Sequence, residues 1–121
     1  MASKHNFRKL TIWKDGIELS KGTYTTTKIF PKSEQYGLSS QMQRSAVSIP
    51  SNIAEGTAKS SSKHFIQYLE NALGSAYEWE TQLIISYEIG YISEKTYNHL
   101  ESKVHKIQSM ISKFIDNLTI N

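Results

Sequence analysis

Residues 93–118 read SEKTYNHLESKVHKIQSMISKFIDNL, and within them Tyr97, Leu100, Val104, Ile107, Ile111, Phe114 and Leu118 follow one another three and four residues apart without a miss. Such steps keep side chains on one stripe of an α-helix and are the pattern of left-handed, bundle-type packing. Ser93 offers a side-chain oxygen to a free amide at the helix start, and Glu94 places an acid in the first turn, where the helix dipole favours it. A helix over about 94–118 follows, and its apolar stripe needs partners.

Three more segments supply them. Upstream, Phe65, Leu69, Ala72, Ala76, Trp79 and Leu83 step by four and three, which predicts a helix over about 62–89 that starts in the run Ser60-Ser61-Ser62 and closes near Gly90. A helix over about 38–57 would turn Leu38, Met42, Ala46, Ile49 and Ile53 inward. Pro50 sits inside it, removes a backbone donor and crowds the preceding turn, so a kink or a break is expected there. The first helix, about 9–29, would bury Leu10, Trp13, Ile17 and Tyr24 and end before Phe30-Pro31, because the residue before a proline is pushed out of the α region. The whole reads as one all-α domain over 1–121, an up-down-up-down antiparallel four-helix bundle joined by short loops.

Apolar residues are left over. Ile66, Leu73, Tyr77 and Ile84 form a second stripe on the third helix, and Ile12, Val47, Met110 and Ile115 lie off the main seams. They read either as a broad core face or, preferably, as a subunit interface, since large apolar patches are rarely left in water.

Composition removes several kinds of chemistry. The 121 residues contain no cysteine, hence no disulfide, thiolate nucleophile or zinc–thiolate site, as suits a reducing compartment such as the cytoplasm. No apolar stretch is long enough to span a membrane, and no apolar region follows Lys4 as a secretion signal would require, so a soluble cytoplasmic protein without membrane contact is expected. No phosphate-binding glycine loop and no Gly-x-Ser-x-Gly elbow occurs. Di-metal bundles need Glu-x-x-His pairs, and no glutamate here has a histidine three residues later. Glu101 and His105, four apart, read as a solvated contact, so neither a metal nor a cofactor is expected and no catalytic residue is assigned.

The net charge of +3 is unevenly spread: residues 1–63 carry ten Lys/Arg against four Asp/Glu, and residues 64–121 four against seven. Lys14, Lys21 and Lys28 recur every seven residues along one side of the first helix, partly neutralised by Glu18, with Lys4, Arg8 and Lys9 ahead of them. Lys32, Lys59 and Lys63 lie in or beside loops. Such charges can simply solvate outer faces. As a binding surface, a lysine-rich and arginine-poor row suits phosphate attraction better than base reading, which makes RNA or DNA the candidate partner.

Polar residues also form a stripe on the second helix, where Arg44, Ser48, Asn52 and Glu55 are spaced four, four and three apart. The favoured reading is structural: the side chains satisfy backbone around Pro50, and Arg44 pairs with an acidic neighbour, for which Glu78 and Gln82 on the third helix are the candidates. A ligand or partner site is the alternative.

These residues carry a family resemblance. Phe7-x-x-Leu10-x-x-Trp13, then Phe30-Pro31 and Glu34-x-Tyr36-Gly37-Leu38, then Gln41-x-x-Arg44-Ser45-Ala46-x-Ser48-Ile49-Pro50-x-Asn52-Ile53-Ala54-Glu55-Gly56, then Gly74-Ser75-x-x-Glu78-x-x-Thr81-Gln82-Leu83 resemble the bacterial four-helix-bundle family first noticed in intervening sequences of 23S ribosomal RNA genes. Trp79 stands where the family usually has leucine. The resemblance implies a homopentamer without known catalysis. It also implies kinship with the accessory protein of diversity-generating retroelements, which binds nucleic acid and a reverse transcriptase through basic surfaces. The motif positions it carries over, Arg44, Ser48, Asn52, Glu55 and Glu78, are structural. The function expected is therefore a non-enzymatic oligomer binding nucleic acid, RNA before DNA, with a protein-interaction scaffold as the alternative.

Overall fold

Four long helices run antiparallel in the computed structural model, which describes residues 5–120; Lys4 lies outside them. A 3-10 turn at Phe7–Lys9 leads into α1 (Thr11–Thr27), and after a second at Lys32–Glu34 follow α2 (Leu38–Thr57), α3 (Ser62–Glu88) and α4 (Glu94–Ile120). Consecutive helices pack on one another and α1 closes on α4, which is the up-down-up-down bundle. The α1–α4 pair is the most loosely packed side of the square. No described helix is long and apolar enough to cross a membrane.

The ends form for the reasons local chemistry gives. Ser61 caps α3 by accepting the His64 N–H at 3.3 Å, and Ser93 caps α4 by accepting that of Thr96 at 3.1 Å. At the C-terminus of α3, the Tyr91 N–H donates to the Ser86 carbonyl and the Gly90 N–H to that of Tyr87. This is the Schellman arrangement, and Gly90 takes the positive φ of 86° that it demands.

Three seams bury as expected. Phe65, Leu69, Ala72, Ala76, Trp79 and Leu83 are inside on α3, as are Met42, Ala46, Ile49 and Ile53 on α2 and Leu100, Val104, Ile107 and Ile111 on α4. Tyr97, Phe114 and Leu118 close the edges of the α4 seam half-buried. Helix α2 passes through Pro50 without a break. The proline ring is buried against α1, where a Cβ on Gly16 would sit 3.2 Å from Pro50 Cβ and Cδ. Gly16 thus lets two backbones approach where a larger side chain would hold them apart.

The first helix is rotated from the expected face. Its buried side is Ile12, Gly16, Leu19, Ser20, Thr23 and Thr27, whereas Trp13 and Ile17 are half-buried and Tyr24 is 49% exposed. Small and hydroxyl side chains go inside because each hydroxyl finds a carbonyl one turn back: Ser20 to Gly16 at 2.9 Å, Thr23 to Leu19 at 2.7 Å, Thr27 to Thr23 at 2.9 Å. Thr23 Oγ1 also accepts the Nε1–H of the fully buried Trp79 at 3.0 Å. Ile12, placed off the seam by sequence, is core. Of the remaining apolar surplus, Ile66, Leu73, Ile84, Met110 and Ile115 are half-buried, and Val47 and Tyr77 are exposed at 40% and 52%.

Candidate nucleic-acid interface

All six lysines singled out in the sequence, Lys14, Lys21, Lys28, Lys32, Lys59 and Lys63, are exposed, but the bundle does not bring them to one place. Lys28 and Lys32 meet at the end where α1 gives way to α2, around a surface cavity of about 350 Å³ shared with Tyr24, Phe30 and Gln43. Lys59 and Lys63 lie at the opposite end, in the α2–α3 connection and the first turn of α3, with Lys59 Nζ 4.9 Å from the centre of the Tyr68 ring.

A better-connected basic surface lies along the loose α1–α4 seam. Lys14 and Lys21 are four and three residues from Glu18, and Lys28 is three from Thr25. Glu18 and Thr25 both line a groove of about 650 Å³ between the two helices. From α4, Lys95 and Lys103 line the same groove, Lys106 lines the next, and Lys113 with Lys9 lines the one after. Five lysines, Lys9, Lys95, Lys103, Lys106 and Lys113, therefore line one seam, and Lys21 is joined to it through Glu18. Two acids answer them. Glu18 holds Lys21 at 3.2 Å in an exposed pair, and Asp15 Oδ2, closed off from water, lies 3.5 Å from Lys106 Nζ.

The α4 lysines escaped the sequence reading because charge was summed along the chain, where residues 64–121 are net acidic. A signal was present: Lys95, Lys103, Lys106 and Lys113 are eight, three and seven residues apart, which keeps them on one side of a helix.

The α2 polar stripe divides in two. Ser48 Oγ lies 2.9 Å from Ser75 Oγ on α3, and the Asn52 amide donates to Ser48 O at 2.8 Å and to Ser48 Oγ at 2.9 Å, so these two residues stitch α2 to α3. Next to them the Ser45 hydroxyl donates to Gln82 Oε1 at 2.7 Å, and Gln82 donates to Glu78 at 3.4 Å. Arg44 and Glu55 instead face solvent. The expected Arg44 ion pair is not formed: no described carboxylate lies within pairing distance of it. Gln82 is taken by Ser45, and Arg44 occupies the outer side of the helix.

On the other flank of α4, Glu80 joins the Glu101–His105 pair, with Glu80 Oε2 2.7 Å from His105 Nε2. Burial raises the Glu80 carboxyl, but hydrogen bonds from Gln108 and His105, and the charge of His105, outweigh it and hold the group below the usual range. Tyr97 donates to Glu101, and that bond, with burial and the surrounding carboxylates, pushes its hydroxyl up to about 12. Among the described residues, Glu80, Glu101 and His105 have donor atoms close enough together to hold a metal ion.

The family model of the 23S rRNA-intervening sequence protein matches residues 8–113, nearly the whole bundle. The chain belongs to that family. A solved structure with the same fold is that of a protein of unknown function from the S23 ribosomal protein family of Bacteroides thetaiotaomicron. It superposes with a TM-score of 0.79 at 24% identity, covering 87% of this chain and 98% of the other. No curated protein matches.

Proposed function

We propose that this 23S rRNA-intervening sequence protein is a non-catalytic, oligomeric bundle that binds RNA through phosphate contacts along the α1–α4 seam. The observation that carries the reading is the convergence of Lys9, Lys95, Lys103, Lys106 and Lys113 on one seam, where Asp15 and Glu18 are the lining acids among the described residues. Lysine is a flexible point charge, so such a track attracts a sugar–phosphate backbone without reading its bases. A ring of five copies, which the family resemblance implies, would multiply the field of each +3 chain.

Association is supported by apolar surface at one end of the bundle, where Ile29, Tyr36 and Ile89 are exposed at 68%, 90% and 53%. Large apolar side chains grouped in this way favour burial against another chain. The same surface supports the second reading, a scaffold that docks a protein and ignores nucleic acid.

Fluorescence anisotropy with a labelled single-stranded RNA, repeated at stepped salt, tests the proposal. If all five lining lysines contact phosphates, log K falls against log salt with a slope of about −3.5. A flat salt dependence, or binding absent at low salt, rejects it in favour of the scaffold.

A further inference from the structure

Glu80, Glu101 and His105 each place one donor atom within 4.8 Å of the other two, across the seam between α3 and α4. Glu101 and His105 stand one turn apart on α4, and Glu80 reaches them from α3. An ion pair joins Glu80 and His105 at 2.7 Å, and Tyr97 donates to the second carboxylate, Glu101. Two carboxylates facing one imidazole leave at least one negative charge uncompensated, and among the described residues neither glutamate is paired with a lysine or arginine.

The surroundings orient the donors. The Gln108 amide donates to Glu80 Oε1 at 2.8 Å, leaving Oε2 to the cluster, and Tyr97, its ring stacked 4.6 Å from that of Tyr87, donates to Glu101. Carboxylates that bind metals are commonly held by such outer donors. The His105 side chain is 52% exposed and that of Glu80 20%, so the cluster has a solvent path on the His105 side.

We propose that Glu80, Glu101 and His105 form a binding site for a divalent first-row transition ion of the Zn²⁺ class. Two carboxylate oxygens and one imidazole nitrogen match the donor types zinc accepts, and three protein ligands leave a position open to water. The ion ties α3 to α4. This departs from the sequence expectation of no metal, which considered ligand pairs within one helix; the third ligand lies 21 residues upstream of Glu101 on the neighbouring helix. The site is separate from the lysine seam.

The test is isothermal calorimetry of the chelator-treated full chain with ZnCl₂, alongside thermal melts followed by circular dichroism. Wild type should take up one ion per chain and melt at higher temperature with Zn²⁺ present. His105→Gln and Glu101→Gln should lose both effects while keeping helical circular dichroism, and His99→Gln should keep both. Tyr97→Phe should weaken binding by about 10- to 100-fold, as outer-shell changes do. Absence of stoichiometric uptake by wild type, or uptake by His105→Gln equal to wild type, overturns the proposal.

Discussion

Replacing Thr23 by valine probes the contact that fixes the orientation of α1. The Thr23 hydroxyl donates to Leu19 O at 2.7 Å and accepts the Trp79 Nε1–H at 3.0 Å, and both residues are fully buried. Valine keeps the shape and the β-branch, so no cavity opens, and Leu19 O keeps its helical backbone partner. The Trp79 N–H does not keep a partner. A buried donor left unsatisfied costs about 1–3 kcal/mol. The added methyl returns about 0.8 kcal/mol of burial, so the net loss should be about 0.2–2 kcal/mol. Urea denaturation followed by far-ultraviolet circular dichroism measures it, at fixed protein concentration because association contributes to apparent stability. In a Trp79→Phe background, which has no donor to orphan, Thr23→Val should cost close to nothing. Equal losses in the two backgrounds would refute the hydrogen-bond account of the α1 face.

Other consequences are checked as directly. Gly56→Ala should destabilise by about 1–3 kcal/mol, because its Cβ would lie 2.8 Å from Phe65 Cδ1 and 2.9 Å from Tyr68 Cβ, whereas Gly74→Ala, whose Cβ meets open space, should stabilise by up to about 1 kcal/mol; chemical denaturation of the two variants tests the contrast. Glu34 accepts from Tyr91 Oη at 2.7 Å and from the Leu38 N–H at 3.2 Å, and these bonds hold its carboxyl below the usual range. A depressed folded-state value means that this contribution to stability is present above the ordinary glutamate value of about 4.3 and is lost as pH falls through the folded one. Carbon NMR of the Glu34 carboxyl should therefore show protonation below that value in wild type and a return towards it in Tyr91→Phe. Lys21→Gln removes an ion pair whose side chains are 71% and 59% exposed, so it should change stability by less than about 1 kcal/mol while weakening RNA binding in the anisotropy assay.

How much of this was legible in the sequence differs from helix to helix. Helices α2, α3 and α4 declare their faces because large apolar residues alternate with polar ones at helical spacing, and burial follows that contrast. In α1 the contrast misleads. Trp13, Ile17 and Tyr24 are the conspicuous apolar residues, yet the inner face is set by close approach at Gly16 and by Ser20, Thr23 and Thr27, whose hydroxyls are satisfied locally. A hydropathy pattern scores those residues as polar because it cannot see their partners. The candidate interface was half legible for a related reason. The lysine row of α1 shows in the sequence, but the α4 row is masked by Glu94, Glu101 and Asp116 on the same segment, and only the fold places the α4 row beside a seam with Lys9. On α2, Asn52 bonds the Ser48 carbonyl and Ser48 meets Ser75 on α3, while Arg44, on the outer side of the helix, pairs with neither Glu78 nor Gln82, the latter bound to Ser45.

The account stands most directly on where charge reversal matters. RNA affinity at low salt should be compared between Lys103→Glu/Lys113→Glu, on the α1–α4 seam, and Lys59→Glu/Lys63→Glu, at the end of the bundle, both with the same change in net charge. The seam variant is expected to lose most of its affinity and to flatten the salt dependence by about 0.7 in slope for each phosphate contact removed, while the end variant stays near wild type. Equal losses in the two variants, or a seam variant that binds as well as wild type, would contradict the assignment of the α1–α4 seam as the RNA-binding surface.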